Sequence, residues 1–204
     1  TPGTGTSFYA GPTEVYAPFY RFVRRHAALF DGYRAARAPA AVLFDPAGDF
    51  FGGGRLLERM IALADAGIPF DVILAPNAWG LGDPASVAAR CAAYPTIIRD
   101  ERTPPPAPAW RSANPDVWVL PRIKPGALPV VHLLNRAYDQ AIDRFAPQRN
   151  VAITLAPELA AGCTTARLHR PEGDSLDAPV KKTAAGLEMM VPELQVWGLV
   201  ELRG

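Results

Sequence analysis

The feature that most constrains the fold is an alternation of short apolar runs with helical patterns between residues 40 and 98. The predicted order is strand 40–44, helix 55–66, strand 70–75, helix 84–93 and strand 96–98. The first run is apolar without interruption, which is typical of a strand buried on both faces. Strands that alternate with helices in this way predict a small three-stranded parallel βαβαβ sheet.

The connections of such a sheet set where its helices lie. They are right-handed in almost all proteins, so two connections that run in one direction put both helices on one face. The other face then needs cover. Apolar positions that include Phe19, Phe22 and Phe30 predict an amphipathic helix from Pro18 to Ala36, with Pro18 in its first turn. We expect this helix to cover the second face.

The second half of the chain has a different pattern. Residues 103–115 contain five prolines and no apolar period, which predicts an extended connector. Strand-length runs without a convincing helix follow at 116–123, 129–135, 150–156, 164–169, 186–191 and 196–203. They predict an antiparallel β-sandwich, in which Pro121 assigns its strand to an edge or a bulge.

These patterns predict an α/β plus all-β chain. Residues 1–102 form an N-terminal helix and the α/β domain, 103–115 a linker, and 116–204 the sandwich. The 204 residues are long enough for two small domains.

Composition and charge exclude several classes of function. The chain has 21 Lys and Arg against 20 Asp and Glu, and this net charge of +1 gives no electrostatic reason to expect nucleic acid or a membrane surface. No apolar run is long enough to span a bilayer, and residues 1–11 lack the pattern of a signal peptide. The two cysteines, Cys91 and Cys163, predict buried thiols and fit a cytoplasmic location, with export left open. Because the sequence begins at Thr1 without Met, we expect a fragment, a processed product or part of a longer chain.

Polar residues and glycines follow the predicted parallel strands, at the edge where open α/β sheets bind ligands. The candidate ligand-binding residues here are Asp45, Asp49, Gly52, Gly53 and Asn77. Free backbone N–H groups at a helix start can hold an anion, but residues 52–54 lack the spacing of a dinucleotide fingerprint or of a P-loop. Aspartates also cap helices, as we expect for Asp83. Helix capping could therefore explain the aspartates at this edge, and loop flexibility the glycines, as alternatives to ligand binding.

A second polar pair, His132 and Asn135, lies at the end of a predicted strand in the sandwich. Under strict alternation the two side chains face opposite sides, so a shared ligand site needs a bend between them. The chain has no nucleophile elbow and no histidine pair with metal-binding spacing. We therefore predict no catalytic residue, no metal ligand and no cofactor.

Several segments resemble one group of enzymes. Residues 24–30, 41–44 and 63–73 resemble the flavodoxin-like domain that follows the catalytic barrel in β-galactosidase-like bacterial glycoside hydrolases. Residues 131–135, 150–153 and 191–200 resemble the C-terminal β-sandwich of the same multidomain glycosidases. The resemblance implies a reduced flavodoxin-like domain followed by a β-sandwich, within a hydrolase of carbohydrate metabolism.

The resemblance also implies a role. In those enzymes the catalytic carboxylates lie on a TIM barrel, which needs about 200 residues or more of its own. This chain has no room for a barrel, so no catalytic residue carries over. The implied role is an accessory, non-catalytic C-terminal region or subunit of a glycoside hydrolase. It would pack on a TIM-barrel catalytic domain or subunit and support carbohydrate contact or assembly, including a homo-oligomer. Such a role predicts an exposed apolar patch on the isolated chain.

A second hypothesis treats the chain as an independent protein. It would be a small α/β ligand-binding protein or enzyme that uses the loop from Asp45 to Gly54. Whether this chain is itself an enzyme stays open between the two hypotheses.

Overall fold

A small parallel sheet with helices, two larger antiparallel sheets and a two-stranded antiparallel sheet make up the described part of the chain. The structure is a computed structural model that describes residues 13–77 and 79–204. The helices are α1 (Thr13–Arg25), α2 (Pro46–Phe51), α3 (Arg55–Asp65), α4 (Pro84–Cys91) and α5 (Pro157–Ala160), with a 3-10 turn at Ala27–Leu29. The strands are β1 (Arg34–Ala35), β2 (Ala40–Phe44), β3 (Asp71–Leu74), β4 (Thr96–Ile98), β5 (Trp110–Ser112), β6 (Val117–Ile123), β7 (Val130–Asn135), β8 (Tyr138–Asp139), β9 (Arg144–Phe145), β10 (Gln148–Leu155), β11 (Thr165–His169), β12 (Leu176–Ala178), β13 (Val180–Thr183), β14 (Gly186–Leu194) and β15 (Trp197–Arg203).

The parallel sheet has the order β3-β2-β4, and β2 pairs in parallel with both neighbours. The predicted three-stranded parallel βαβαβ sheet is therefore confirmed. Asp83 caps α4 by accepting a hydrogen bond from the Ser86 N–H at 2.8 Å, and Pro84 occupies the first helical position as predicted. The flavodoxin-like assignment of this unit stays a prediction.

The prediction that both connecting helices lie on one face of this sheet is wrong. Ala40 and Val42 pack against Leu63 of α3, whereas Ala41 packs against Val87 of α4. Successive side chains of a strand point to opposite faces, so α3 and α4 cover opposite faces of the sheet. The physical reason is the central position of β2. The chain crosses to one side of β2 and then to the other, and right-handed connections in opposite directions lie on opposite faces.

The N-terminal helix therefore covers a different sheet from the one expected. Phe22 of α1 is 2% exposed and packs with Val130 and Leu199, which belong to β7 and β15 of an antiparallel sheet. The helix is also shorter than predicted, and Pro18 lies inside it rather than in its first turn. Since α3 and α4 already cover the parallel sheet, the apolar stripe of α1 is free to cover this antiparallel sheet.

Two antiparallel sheets form the predicted β-sandwich. One has the order β1-β6-β7-β15-β11-β12 and the other the order β13-β14-β10-β5. Their shared core includes Val119 and Leu133 from the first sheet and Ile153 and Val191 from the second. Residues of β10 alternate between buried and partly exposed toward its end, as the sequence predicts. The β-sandwich is therefore confirmed, although it contains more strands than the sequence indicates.

Part of the proline-rich stretch is a strand rather than an extended connector. β5 pairs with Ile153–Leu155 of β10, and Trp110 is buried in the sandwich core. Pro121 lies in β6, whose outer neighbour is only the two-residue β1, and its carbonyl accepts a hydrogen bond from the Ala36 N–H at 3.0 Å. The division of the chain into domains at residues 102 and 115 stays a prediction.

A side-chain cluster attaches the end of α3 to the outer face of the six-stranded sheet. The Arg136 guanidinium lies 4.6 Å from the centre of the Trp118 ring and 2.7 Å from a carboxylate oxygen of Asp65. The Trp118 indole N–H donates to the Ala64 carbonyl at 3.3 Å. This cluster joins the parallel-sheet unit to the sandwich.

Replacing Phe22 with Ala should lower the free energy of unfolding by about 3–5 kcal/mol, because it leaves a cavity between α1 and the sheet. Tyr20 on the same helix is 71% exposed, so Tyr20→Ala is the matched control and should cost less than about 0.5 kcal/mol. Urea unfolding followed by circular dichroism measures both variants. Similar losses for the two would contradict the packing of α1 on the sandwich.

Candidate functional site

The carboxylates at the end of β2 bind backbone N–H groups of the protein itself. Asp45 caps α2 by accepting a hydrogen bond from the Ala47 N–H at 3.1 Å. Asp49 accepts from the N–H groups of Leu56 at 2.7 Å and Leu57 at 3.3 Å. These donors belong to the first turn of α3, where an external anion would otherwise bind. The carboxylate of Asp49 occupies that place.

The predicted glycines form the turn between α2 and α3. The N–H of Gly52 donates to the Gly48 carbonyl at 2.8 Å and ends α2. Gly53 and Gly54 have φ values of 89° and 75°, a left-handed conformation that favours glycine. A Cβ added to either would meet no described heavy atom within 4 Å. The backbone conformation, and not a close approach to another group, therefore accounts for glycine here.

Asn77 organises the loop that follows β3. Its Oδ1 accepts hydrogen bonds from the N–H groups of Trp79 at 3.0 Å and Leu81 at 3.2 Å. Its Nδ2 is buried without a partner among residues 13–77 and 79–204. Asn77 lies at the same edge of the sheet as Asp45, since β2 and β3 are parallel neighbours. The predicted residues thus share an edge, where Asp45, Asp49 and the Asn77 oxygen bind nearby backbone.

Large apolar side chains are exposed at this edge. Phe50 and Phe51 are 73% and 78% exposed, and their rings contact each other at 5.3 Å between centres. Trp79 and Leu81, after β3, are also exposed. We call these four residues the apolar edge. These exposed side chains give the end of the parallel sheet an apolar surface, while the accessory role stays a prediction.

His132 belongs to an aromatic cluster rather than to a polar site. Its ring lies 5.4 Å from the Phe30 ring and stacks on Trp197 at 5.8 Å between centres. Burial lowers the pKa of His132 to about 4, and the positive charge of Arg122 contributes to the same shift. The imidazole is consequently neutral at neutral pH and packs as an aromatic ring.

On the other side of β7, the side chain of Asn135 forms hydrogen bonds with backbone groups. Its Nδ2 donates to the carbonyls of Ala146 and Gln195, and its Oδ1 accepts from the Ala137 N–H at 2.9 Å. The side chain is buried, and these bonds account for both of its polar atoms. The structure therefore does not bring Asn135 and His132 into one site.

A polar network beneath α1 is not predicted from the sequence. The buried His169 ring lies 2.8 Å from the Ser175 hydroxyl through Nδ1 and 2.9 Å from a Glu201 carboxylate oxygen through Nε2. The His26 ring of the segment after α1 lies 4.4 Å from the His169 ring, and burial, followed by the charge of His169, lowers the pKa of His26.

The order of groups in this network is that of a hydrolase triad, but its surroundings differ. Arg203 binds the same Glu201 oxygen at 2.6 Å, and His26 covers a face of the His169 ring. We therefore assign the network to the attachment of α1. His169 and Glu201 are 32 positions apart in the sequence, and only the pairing of β11 with β15 brings them together.

A cavity of about 280 Å³ lies between the parallel-sheet unit and β6. Trp110, Trp118 and Phe70 contribute apolar walls, and Asp71 and Arg122 contribute charged groups. None of these residues is among the sequence candidates, because they come from distant parts of the chain.

Other classes of site have little support in the described residues. Within 13–77 and 79–204, no three His, Cys, Asp or Glu side chains are grouped to hold a metal ion. Both cysteines are free, and burial raises the pKa of the Cys163 thiol. No helix in these ranges has both the length and the apolar character needed to cross a membrane.

Comparison with known proteins gives a partial match. No protein-family profile matches the chain. An alpha-agarase from Alteromonas agarilytica is 38% identical over 74 residues, which are 36% of this chain and 5% of the agarase. The chain thus spans a small fraction of that relative's length. Part of this chain is similar in sequence to a carbohydrate-active enzyme, while the resemblance to β-galactosidase-like enzymes stays a prediction.

Two solved structures share local similarity. A Paenibacillus sp. cycloisomaltooligosaccharide glucanotransferase has a TM-score of 0.34 and 18% identity, over 41% of this chain and 14% of its own. Alpha-L-fucosidase isoenzyme 2 from Paenibacillus thiaminolyticus has a TM-score of 0.33 and 14% identity, over 47% of this chain and 15% of its own. These scores are too low to assign a fold.

Replacing Asp49 with Ala should lower the free energy of unfolding by about 1 kcal/mol, because the first turn of α3 loses its acceptor. Asp49→Asn keeps an acceptor oxygen and should cost less. Inorganic phosphate should leave the thermal unfolding midpoint of the unchanged protein where it is. A phosphate-dependent rise of that midpoint would instead support anion binding at the start of α3.

The lowered pKa of His132 predicts a pH-dependent stability. The unfolded imidazole has its ordinary pKa of 6.5 and the folded one a pKa of about 4, so the unfolded state binds the proton more readily. Stability should therefore fall as pH drops from 6.5 toward 4. His132→Phe should remove this contribution and lose less stability over that interval than the unchanged protein. An NMR titration that gives His132 a pKa near 6.5 would contradict its burial in the cluster.

Proposed function

We propose that this chain is an accessory, non-catalytic part of a carbohydrate-active enzyme and that its apolar edge packs on the catalytic domain or subunit. The observation that carries the proposal is the contrast at the end of the parallel strands. The polar side chains there bind the chain's own backbone, whereas Phe50 and Phe51 remain largely exposed. The similarity of part of the chain to an alpha-agarase supports a carbohydrate-active enzyme.

The use of the carboxylates supports a non-catalytic role. Glycoside hydrolysis usually needs two carboxyl groups on either side of the bond, one to protonate the leaving oxygen and one to act as nucleophile or base. Asp45, Asp49 and Asp83 instead accept hydrogen bonds from the first N–H groups of α2, α3 and α4. Helix capping accounts for the positions of these three carboxylates, which supports the proposal that the catalytic carboxylates belong to another domain or subunit.

The exposed aromatic side chains support a packing role. Exposed apolar surface that is rimmed by polar residues commonly marks a protein interface. Arg55 and Glu101 lie near this edge and form an exposed ion pair at 3.7 Å. The partner that the sequence resemblance implies is a TIM-barrel catalytic domain or subunit, and the apolar edge is the surface that would contact it.

The alternative, an independent ligand-binding protein or enzyme that uses the loop from Asp45 to Gly54, gains no support from the geometry. The Asp49 carboxylate fills the helix start where an anionic ligand would bind. The adjacent glycines have an explanation in the turn itself.

The test is the mass and activity of the native protein, isolated from its source with its partners retained. We expect a glycoside-cleaving species much heavier than 21.9 kDa, the mass of these residues, in which this sequence is part of a longer chain or a bound subunit. The isolated chain should bind a hydrophobic dye and should not cleave glycosides. A lone species of that mass, with glycosidase activity or without dye binding, would overturn the proposal.

Substitutions at the apolar edge test whether it is the surface that contacts the catalytic domain or subunit. Phe50→Gln with Phe51→Gln should reduce dye binding and weaken association with the catalytic part, measured by analytical ultracentrifugation of the mixed components. Tyr20→Gln is the matched control, because Tyr20 is an equally exposed aromatic residue on α1. Equal weakening by the control would place the contact elsewhere.

A further inference from the structure

The pairing of β1 with β6 stops where the chain turns toward the parallel sheet. The Ala36 N–H donates to the Pro121 carbonyl at 3.0 Å. In an antiparallel ladder the next bonded pair would be Ala38 with Val119, since bonded positions recur every second residue. The Ala38 N–H instead donates to the Asp71 carboxylate at 3.3 Å. The ladder therefore lacks its next pair.

Within residues 13–77 and 79–204, the N–H and C=O of Val119 have no backbone partner. Because the Pro121 carbonyl points away from β7, the N–H and C=O of Val119, two residues earlier, point the same way. Among the described residues neither group has a backbone partner on that side. Val119 is only 7% exposed, and polar backbone groups at buried positions nearly always have partners. A ligand that both donates and accepts hydrogen bonds would supply them.

The cavity of about 280 Å³ opens at this gap, and we call it the β6 cavity. Val119 lines it, together with the apolar walls formed by Trp110, Trp118 and Phe70. Its volume is close to the lower end of the range of about 300–1,000 Å³ for small-molecule sites. Such sites often lie between structural units, as this one does.

Two charged side chains that line the cavity have unused hydrogen-bonding capacity. Asp71 Oδ2 accepts from the Ala38 N–H and from the Tyr94 hydroxyl at 2.7 Å, while its Oδ1 has no donor among the residues that the structure describes. The guanidinium of Arg122 has no carboxylate within ion-pair distance in the same residues. The cavity thus offers acceptors and donors beside apolar walls.

We propose that the β6 cavity binds a neutral sugar the size of a mono- or disaccharide. The C–H faces of a sugar ring suit the walls formed by Trp110 and Trp118, as apolar surface on aromatic rings. Its hydroxyl groups donate and accept, as the backbone of Val119 requires. A purely apolar ligand would leave these groups unpaired, and an anion would meet the Asp71 carboxylate. The choice of a sugar rests on the proposed carbohydrate function, whereas the site rests on the geometry.

The available edge is too short for a peptide strand. Strands are usually about 5–6 residues long. Here the Val117 N–H already donates to the Asn114 carbonyl at 3.1 Å, and Ala36 occupies the carbonyl of Pro121. Among the described residues of this edge, Val119 alone offers both of its backbone groups, so a small ligand fits the edge better than a peptide.

The test is calorimetric titration of the folded chain with galactose, glucose, lactose and maltose. We expect at least one of these sugars to bind, and Arg122→Met to weaken that binding by about tenfold or more, because it removes charged hydrogen-bond donors and keeps an apolar stem. Arg34→Met is the matched control. Arg34 is an exposed residue of β1, adjacent to β6, and does not line the cavity, so its replacement should leave the dissociation constant unchanged.

A second variant tests the same site in case Arg122→Met fails to fold. Ala66 is exposed and lines the cavity, so Ala66→Leu should fill part of it and reduce sugar binding while the helix signal stays intact. No binding of any of the four sugars by the folded protein would overturn the proposal, and so would binding that neither Arg122→Met nor Ala66→Leu weakens. The outcome is separate from that for the proposed function, which depends on the native species and its activity and not on sugar binding by the isolated chain.

Discussion

The carboxylate of Asp71 binds the backbone where the chain passes from an antiparallel sheet to a parallel one. It accepts hydrogen bonds from the Ala38 N–H and the Tyr94 hydroxyl. Burial, followed by this hydrogen bond, raises the pKa of Tyr94, so the phenol stays a donor at neutral pH. The bond to Ala38 satisfies a backbone donor that would otherwise have continued the ladder with β6. With that donor satisfied, the chain can leave β1 and begin β2.

The position of β2 decides how the helices are distributed. The first connection leads from β2 to β3, and the second leads from β3 past β2 to β4, so α3 and α4 cover the two faces of this middle strand. The apolar stripe of α1 is then available to the six-stranded sheet, whose outer face carries Val130 and Leu199. Burial of apolar surface on both partners drives this packing. The aromatic cluster at His132 and the network at His169 follow from it, since the segment from α1 to the 3-10 turn covers both.

Local patterns predict local structure in this chain. Pro84 begins α4 after an Asp83 cap, and the apolar run at residues 40–44 is the buried β2, because each depends on neighbours along the sequence. The order of strands in a sheet depends on contacts between distant segments, so the expectation that α3 and α4 lie on one face, which assumes two connections in one direction, is wrong. For the same reason the apolar stripe of α1 predicts an amphipathic helix, but the expectation that this helix covers the parallel sheet is wrong.

The candidate residues likewise show that local position is predictable from the sequence, whereas contacts between distant segments are not. Asp45 and Asp49 were predicted at the correct edge, because parallel strands bring their ends together, but capping by their side chains depends on the exact turn between α2 and α3. The β6 cavity depends on Ala38, Asp71 and Val119, which come from three separate segments and carry no shared motif.

The junction between the sheets is therefore a better place for ligand binding than the end of the parallel strands. At the strand ends, the protein's own carboxylates satisfy the helix starts, and the remaining surface is aromatic and suited to packing. At the junction, the bond from Ala38 to Asp71 that allows the chain to change sheets also leaves the N–H and C=O of Val119 without backbone partners among the residues that the structure describes. The same bond thus creates both the connection between the two halves and the unsatisfied groups of the cavity.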